Sequence, residues 1–380
     1  MNLSQAAAAS LEAWQRYTSL GSIEARLLRP VVMRAWERSH AEHLDPRLLI
    51  PEHRSAREID HLRLENAELI ASASPYVEAL AAAAGAERYA TLLSARDATV
   101  LSVQGDPESM HGNDPAPTVG TWMDERHAGA NGVGTALAED QYVELTGTEH
   151  FISGFHHHTC HGIPLRGAAG EVVGALCLSV REPRVAHRLR RLLIMASRGV
   201  QMELAAARLR KRLQELRADP SDDSELLVLL YQEVVQAHAA ARLQVEVGAR
   251  RLGQVSGHDL VAAARHSMRR FERGARIWQL ASGVAPEQPV STAELLVWAA
   301  ELMRTDAAIH HVELHAETDY ADGRQASSAF AREVLVKTEH ALRAVGERGA
   351  VELKLVAGGV RLRTRSRDEA FTREQCVELH

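Results

Sequence analysis

The chain has 380 residues, a formal net charge of −6 at pH 7, and a composition that is 46% hydrophobic but only 4% aromatic. This hydrophobic content excludes a disordered chain, and the length predicts two or three domains. The net negative charge gives no general attraction to nucleic acid or acidic lipid, so direct DNA binding is not expected.

The cysteines and the apolar runs indicate the compartment. Cys160, Cys177 and Cys376 are the only cysteines and form no CxxC pair, which is typical of a reducing compartment. No run of about 18 apolar residues occurs, and the first residues lack the pattern of a signal peptide. We therefore expect a cytoplasmic protein that does not associate with a membrane.

The N-terminal residues have helical periodicity. Apolar residues recur at helical spacing from Ser4 to Arg38, and a second helical run covers Glu58 to Ala84, with a predicted break at Pro75. We assign residues 1–86 to a helical N-terminal segment.

A sheet domain is predicted over residues 87–183. The runs RYATLLSA, ATVLSVQG, YVELTG and HGIPLRGAAGEVVGALCLSV are short, apolar or alternating, and punctuated by glycine, as in antiparallel strands. The stretch from Gly167 to Gly170 predicts a hairpin loop. Residues 184–220 then predict one long connecting helix, because large apolar residues recur at helical spacing beside an arginine-rich face.

Two further modules are predicted after the break ADPSDDS at Ala218 to Ser224. Residues 221–283 contain two helical runs separated by the turn GQVSG, which predicts an antiparallel helix hairpin that forms a dimer bundle. Residues 286–380 alternate helices with extended segments and predict a small α/β sandwich. The expected fold class is therefore α+β.

Five ordered motifs in residues 31–205 carry a family resemblance. They are AWERS, LENAEL, GTWMDERHAGANGVGTAL, GTEHF and CHGIPLRGAAGEVVGALCLSV. The segment is similar to the GAF sensory region of acetoin-catabolism-type bacterial enhancer-binding regulators, although their usual Gly-Thr-Asn is here Gly129, Ala130 and Asn131. The resemblance implies a GAF domain. The GxxxxGK ATPase loop and helix-turn-helix that normally follow in that family do not occur in this sequence, which implies a different output.

Residues 224–366 resemble the dimerisation and ATP-binding halves of a histidine kinase, through RFERGARIWQLASG, PVSTAELLVWAAELM and EVLVKTEHALRAVGERGAVELKLV. The resemblance places Val336 and His340 where that family has the asparagines of its nucleotide site, and Mg²⁺ requires such oxygen ligands. The glycine-rich loop expected after RLRTRS is also missing. We therefore expect a degenerate pseudokinase module without ATP binding. A divergent active histidine kinase is the alternative.

A phosphorylated histidine would also need an adjacent acidic residue. His238 lies near the middle of its helix but is followed by alanines, whereas His258 precedes Asp259 but lies at the turn of the hairpin. His238 is the candidate phosphoacceptor, although a place on the helix surface accounts for both histidines more simply.

A segment rich in histidine and cysteine, EHFISGFHHHTCH, precedes the predicted strand HGIPL. Histidine and cysteine are ligands for zinc, iron and copper. Strand alternation places His158 and Cys160 on one face. This H-x-C step resembles nitric-oxide-responsive relatives whose GAF pocket holds a non-haem ferrous iron. His158 and Cys160 are thus candidate ligands for iron or zinc, and a solvated histidine loop is the alternative.

Without a metal, a small organic ligand is expected between the sheet and its covering loops. The predicted lining comprises Trp122, His127, Asn131, His150, Phe155 and Cys160. Asn131 and Thr135 have a structural alternative, because GANGVGT is typical of a glycine-rich turn before a helix. Cys177 is expected to be a small core residue.

Together these features favour a sensor over an enzyme. We expect a homodimer that binds a small molecule or metal and signals through its kinase-like module to another signalling or transcription-regulatory protein. No HExxH motif or spaced carboxylate pair supports a metal-dependent hydrolase, so no catalytic residue is assigned. A scaffold with a vestigial pocket is the third hypothesis.

Overall fold

The computed structural model describes the backbone of residues 3–21, 28–84, 88–106, 108–109, 116–167, 170–181, 183–218, 222–250, 255–284, 288–318, 323–345, 349–365 and 372–378. The chain divides into two compact units. The first contains Met1–Leu204 and Arg242–Ala263, and the second contains Ala205–Ala241 and Ala264–His380.

In the part of the chain that the structure describes, four helices precede the first strand, namely α1 (Leu3–Leu20), α2 (Pro30–Ala41), α3 (Ala56–Glu65) and α4 (Ala67–Ala84). The periodic run from Ser4 to Arg38 is thus two helices: α1 ends before Gly21, whose φ is +72°, and α2 begins at Pro30. Proline suits the first position of a helix, because an N–H at that position would have no hydrogen-bond partner within the helix. The predicted break at Pro75 is wrong, since Pro75 lies inside α4 and the interruption falls at Asn66.

The first unit is built on a five-stranded antiparallel sheet of order β2-β1-β5-β4-β3. Its strands are β1 (Tyr89–Ala95), β2 (Val100–Gly105), β3 (Val143–Thr146), β4 (Thr159–Arg166) and β5 (Val172–Val180). The short helix α5 (Gly134–Glu139) precedes β3. The predicted hairpin is present, with Gly170 at φ +82°, while residues 168–169 lie outside the described chain. The predicted α+β class and antiparallel sheet are confirmed.

One hydrophobic core contains residues from the N-terminal helices and from the sheet. Trp36 of α2 is fully buried in the same cluster as Leu92 and Val100 of β1 and β2, and Tyr17 of α1 joins them. The predicted helical segment 1–86 and the predicted sheet domain therefore share one core rather than two.

Three ion pairs fasten α2 to the rest of this unit. Arg38 binds Glu125 through two guanidinium nitrogens and reaches Glu139 at 2.8 Å, and Arg34 also binds Glu139. Both carboxylates are nearly buried, at 7% and 8% side-chain exposure. Arg34, followed by Arg38, holds the pKa of Glu139 below its usual range.

A long helix, α6 (Pro183–Ala218), begins almost directly after β5. It matches the predicted connecting helix. Within the described residues, no helix combines the length and apolar composition needed to span a membrane.

The second unit contains parts of two long helices, α7 (Asp222–Arg250) and α8 (Val255–Ala281). The indole N–H of Trp278 donates to the Leu227 carbonyl at 2.7 Å, and the rings of His238 and Phe271 lie 5.4 Å apart. Contacts that advance along α7 while retreating along α8 mark an antiparallel pair.

The remainder of this unit has a four-stranded sheet of order β6-β7-β8-β9, in which the first pair is parallel and the others are antiparallel. Its elements are α9 (Thr292–Leu302), α10 (Arg304–Ile309), β6 (Glu313–Glu317), α11 (Ser328–Val345), β7 (Ala350–Val356), β8 (Gly359–Arg365) and β9 (Thr372–Glu378). Ser291 caps α9 in a reciprocal box with Glu294. This arrangement matches the predicted small α/β module.

Candidate functional site

The first unit has a cavity, partly open to solvent, on one face of its sheet, with about 40 Å³ of space for the centres of water-sized molecules. Since one water needs roughly 10–15 Å³ by this measure, about three such molecules fit. Its apolar walls include Leu92, Met123, Phe155 and Val180. Its polar lining residues are Arg88, Ser109, Asn131, His158, Cys160, Cys177, Ser179 and Arg181.

The register of β4 and β5 brings two cysteines to this cavity. Cys160 lies opposite Ser179, and Gly162 lies opposite Cys177, so alternation puts both thiols on the same face. A Cβ on Gly132 would lie 2.6 Å from the Cys177 sulfur and 2.9 Å from the Cys160 Cβ. Gly132 therefore allows the glycine-rich turn to lie directly over both cysteines.

Cys160 lies in a setting that favours its thiolate. The pKa of its thiol is well below the usual value, first because the Cys177 thiol donates toward its sulfur, and then because the positive charge of the His150 imidazole lies nearby. Burial works in the opposite direction. When protonated, Cys160 donates to the Ser179 hydroxyl at 3.3 Å. The pKa of Cys177 is raised, because ionising it would break the hydrogen bond to Cys160.

His150 is fully buried beside this thiol. Its Nδ1 donates to the Gly147 carbonyl at 2.9 Å, which leaves Nε2 without a hydrogen-bond partner within the described chain. Burial alone would lower the pKa of His150, but the negative charge of Cys160 and the Gly147 carbonyl raise it. His150 and Cys160 thus favour each other's charged form.

The segment that carries His150 is held from both sides by tryptophans of the N-terminal helices. The indole N–H of Trp36 donates to the Glu149 carbonyl at 2.8 Å, and that of Trp14 donates to the Phe151 carbonyl at 2.7 Å. These long-range contacts bury His150, and no local pattern in the sequence indicates them.

Two neighbouring histidines are also desolvated. Burial lowers the pKa of His156 to about 4, and its ring meets the edge of Trp14 at 4.8 Å. Burial likewise lowers the pKa of His158, whose Nδ1 has no hydrogen-bond partner in the described structure. His158 is therefore a neutral, cavity-lining imidazole able to bind a polar group.

Asn131 lines the cavity, but its amide is committed to the backbone. Its Nδ2 donates to the carbonyls of Met123 and Gly129, both at 2.7 Å, and its Oδ1 accepts from the amides of Val133 and Gly134, both at 2.9 Å. The side chain thus holds the turn GANGVG together. This agrees with the alternative in which Asn131 has a structural role in the glycine-rich turn.

Trp122 and His127, two of the predicted lining residues, lie together outside the residues that line the cavity. Their rings stack at 4.5 Å, with the guanidinium of Arg54 4.4 Å from the Trp122 ring. Phe155 and Cys160 do line the cavity, whereas His150 lies behind the wall. Sequence reasoning did not assign Cys177, Ser179, Leu92 or Met123 to the pocket, although the β4–β5 hairpin places two of them beside Cys160.

The described residues around the cavity do not form an iron or zinc site with three protein ligands. In the part of the chain that the structure describes, no group of three or more His, Cys, Asp or Glu side chains is arranged to hold a metal ion. His158 and Cys160 both line the cavity, but structural and catalytic metal sites use at least three protein ligands.

Among the candidate kinase residues, His238, Val336 and His340 belong to the second unit and His258 to the first. His238 packs against Phe271 between α7 and α8, and the His258 side chain lies outside the described residues. On α11, His340 is exposed beside Glu339, whereas Val336 is partly buried. These side chains provide no oxygen ligand at the two positions aligned with asparagine.

Comparisons with known proteins extend these observations. The chain is 26% identical over 171 residues to the acetoin dehydrogenase operon transcriptional activator AcoR of Bacillus subtilis, and 26% identical over 171 residues to the propane 2-monooxygenase operon transcriptional activator MimR of Mycolicibacterium smegmatis. Each match covers 44% of this chain and only 28% of the relative.

A solved complex of the Escherichia coli proteins DhaR(N) and DhaL has a chain that matches at 18% identity and a TM-score of 0.46, covering 50% of this chain and 67% of that one. The family model described as "MimR, N-terminal domain" matches residues 6–204, more than half of the sequence and nearly all of the first part of unit one. The chain therefore belongs to the MimR N-terminal domain family.

Proposed function

We propose that the chain is a cytoplasmic, GAF-like sensor that binds a small, mostly apolar molecule in the cavity of its first unit and regulates transcription through a partner protein. The observation that carries this proposal is the small apolar cavity with one polar corner, at His158, Cys160 and Ser179. The relatives are transcriptional activators of operons for acetoin dehydrogenase and propane 2-monooxygenase.

The cavity supports a particular ligand size and polarity. Space for about three water-sized groups suits a molecule with a few carbon atoms. Leu92, Met123 and Phe155 favour an alkyl part, whereas the unpartnered Nδ1 of His158 favours one hydroxyl or carbonyl group. Short alcohols and ketones meet both requirements.

The connection between β5 and α6 supports signal transmission. Val180 and Arg181 line the cavity, and α6 begins two residues later at Pro183. A ligand that changes the packing of these wall residues therefore acts directly on the start of the long helix. Such a helix, followed by the α7–α8 pair, is an element that can exist in two packing states.

The first experiment measures the melting temperature of the full chain with propan-2-ol, acetone or butan-2-one. We expect a concentration-dependent rise, since ligand at 100 times its Kd stabilises the native state by about 2.7 kcal/mol. Ala90→Leu fills the cavity and is expected to abolish the rise, whereas Ala71→Leu on the exposed face of α4 retains it. An unchanged rise in the Ala90→Leu protein would contradict the proposal.

For the second unit we propose a pseudokinase that forms a homodimer through its helix pair and passes the signal to a signalling or transcription-regulatory protein. The absence of asparagine at Val336 and His340 supports the loss of nucleotide binding. Calorimetric titration with ATP and Mg²⁺ is expected to show no heat of binding. Saturable binding, followed by phosphate on His238, would instead support the divergent active kinase.

A further inference from the structure

The polar corner of the cavity contains the Cys160 thiol. Non-covalent binding of a ligand would not use the nucleophilic reactivity of this thiol. Cys160 lines the cavity, and its sulfur lies 3.3 Å from the Ser179 hydroxyl. Cys177 lines the same wall from the adjacent strand. A buried structural cysteine packed only among apolar side chains is inert, but this one is reached from the cavity and surrounded by polar groups.

Two imidazoles near this thiol can accept its proton and return it. His150 is 0% exposed, and its charge interacts directly with that of the Cys160 sulfur. His158, two residues before Cys160, has no partner at Nδ1 and lines the cavity. A thiol paired with an imidazole is the usual arrangement of an activated sulfur nucleophile. The lowered pKa of Cys160 agrees with this arrangement.

We propose that Cys160 captures short-chain aldehydes as a reversible hemithioacetal in this cavity. The inference rests on the proposed function and names a ligand class for the same site. The Cys160 sulfur bonds to the carbonyl carbon while its proton passes to His150. The C=O π electrons move to oxygen, and the resulting alkoxide takes a proton from an imidazolium to become a hydroxyl. No oxidant, reductant or leaving group is involved.

The cavity offers polar contacts to the hydroxyl group of this hemithioacetal and apolar contacts to its alkyl chain. The new hydroxyl is within the polar corner formed by the Ser179 hydroxyl and His158 Nδ1, and the alkyl chain lies along Leu92 and Phe155. The small volume favours short-chain aldehydes over long-chain and aromatic ones. Reversal needs only return of the proton, so occupancy follows the aldehyde concentration, as a sensor requires.

The test uses the full chain carrying Cys376→Ser, which removes the exposed cysteine and leaves the two buried ones. With propanal labelled with ¹³C at the carbonyl carbon, we expect a protein-bound resonance in the region of a saturated carbon bearing oxygen and sulfur. At ten times its Kd, propanal should slow alkylation of Cys160 by iodoacetamide about tenfold, as measured by peptide mass spectrometry. Propan-1-ol at equal occupancy should produce no such resonance.

Adding Cys160→Ser to that protein should remove the resonance. Adding Ala71→Leu instead, on the exposed face of α4, should retain the resonance. A resonance that persists without Cys160, or its absence from the Cys376→Ser protein under conditions where propan-2-ol still raises the melting temperature, overturns the covalent inference and leaves the proposed function standing. Loss of both responses in protein with an intact Cys160 defeats both proposals.

Discussion

Replacing Arg38 by alanine is expected to lower the free energy of unfolding of the first unit by about 3 kcal/mol. The guanidinium of Arg38 is the shared partner of Glu125 and Glu139, whose side chains are only 7% and 8% exposed. Without it, Glu125 retains only the Thr135 hydroxyl, at 2.8 Å, among its described hydrogen bonds. This expected loss of free energy is at the lower end of the range for breaking a buried ion pair, because Arg38 itself is 37% exposed.

Native-state hydrogen exchange of the β1 and β5 amides measures this loss in the first unit specifically. Arg34→Ala is the matched control, because Arg34 binds only Glu139 among the described contacts and is 48% exposed, so its removal should cost much less than that of Arg38. Equal losses in the two variants would show that Arg38 does not hold the buried carboxylates.

The second large effect is expected for Gly162→Ala, which should destabilise the first unit by about 3 kcal/mol. A Cβ at this position in β4 would lie 1.6 Å from the Gly132 carbonyl oxygen, a backbone atom that cannot rotate away. Either β4 or the glycine-rich turn must then move. Because Gly132 covers Cys160 and Cys177, ligand-induced stabilisation should fall in the same variant.

Gly147→Ala is the control for this substitution. Gly147 also belongs to the first unit and has φ +57°, but its added Cβ would approach no described atom closer than 3.6 Å. Its cost is limited to the left-handed backbone, about 1–2 kcal/mol, and ligand binding should be retained. Thermal unfolding with and without propan-2-ol compares the two variants, and a smaller loss in Gly162→Ala would contradict the steric argument.

The sequence predicts the elements of this protein well where a local pattern governs them. Short alternating runs predict the strands of the first sheet, and the helical spacing over residues 184–220 predicts α6. Pro75 was misassigned because a proline inside a helix is tolerated when packing on both sides holds the helix, and α4 buries Leu69, Tyr76 and Leu80.

The candidate site likewise contains residues whose positions follow from a local pattern and residues whose positions do not. Alternation along β4 predicts that His158 and Cys160 share a face, because side-chain period is a property of the strand itself. It cannot predict that Trp122 and His127 stack with each other under Arg54, or that His150 is buried behind the wall. Those positions depend on tertiary contacts between segments far apart in the chain.

Because two indole hydrogen bonds lie on either side of His150, the intrinsic tryptophan fluorescence of the first unit can report structural changes at this residue. Trp14 and Trp36 each bind the backbone next to this imidazole, so any event that shifts residues 149–151 changes the polarity around two fluorophores. We therefore expect fluorescence from the N-terminal helices to respond to chemistry at Cys160. A biosensor built on this domain would need no attached dye, provided that both helices are kept.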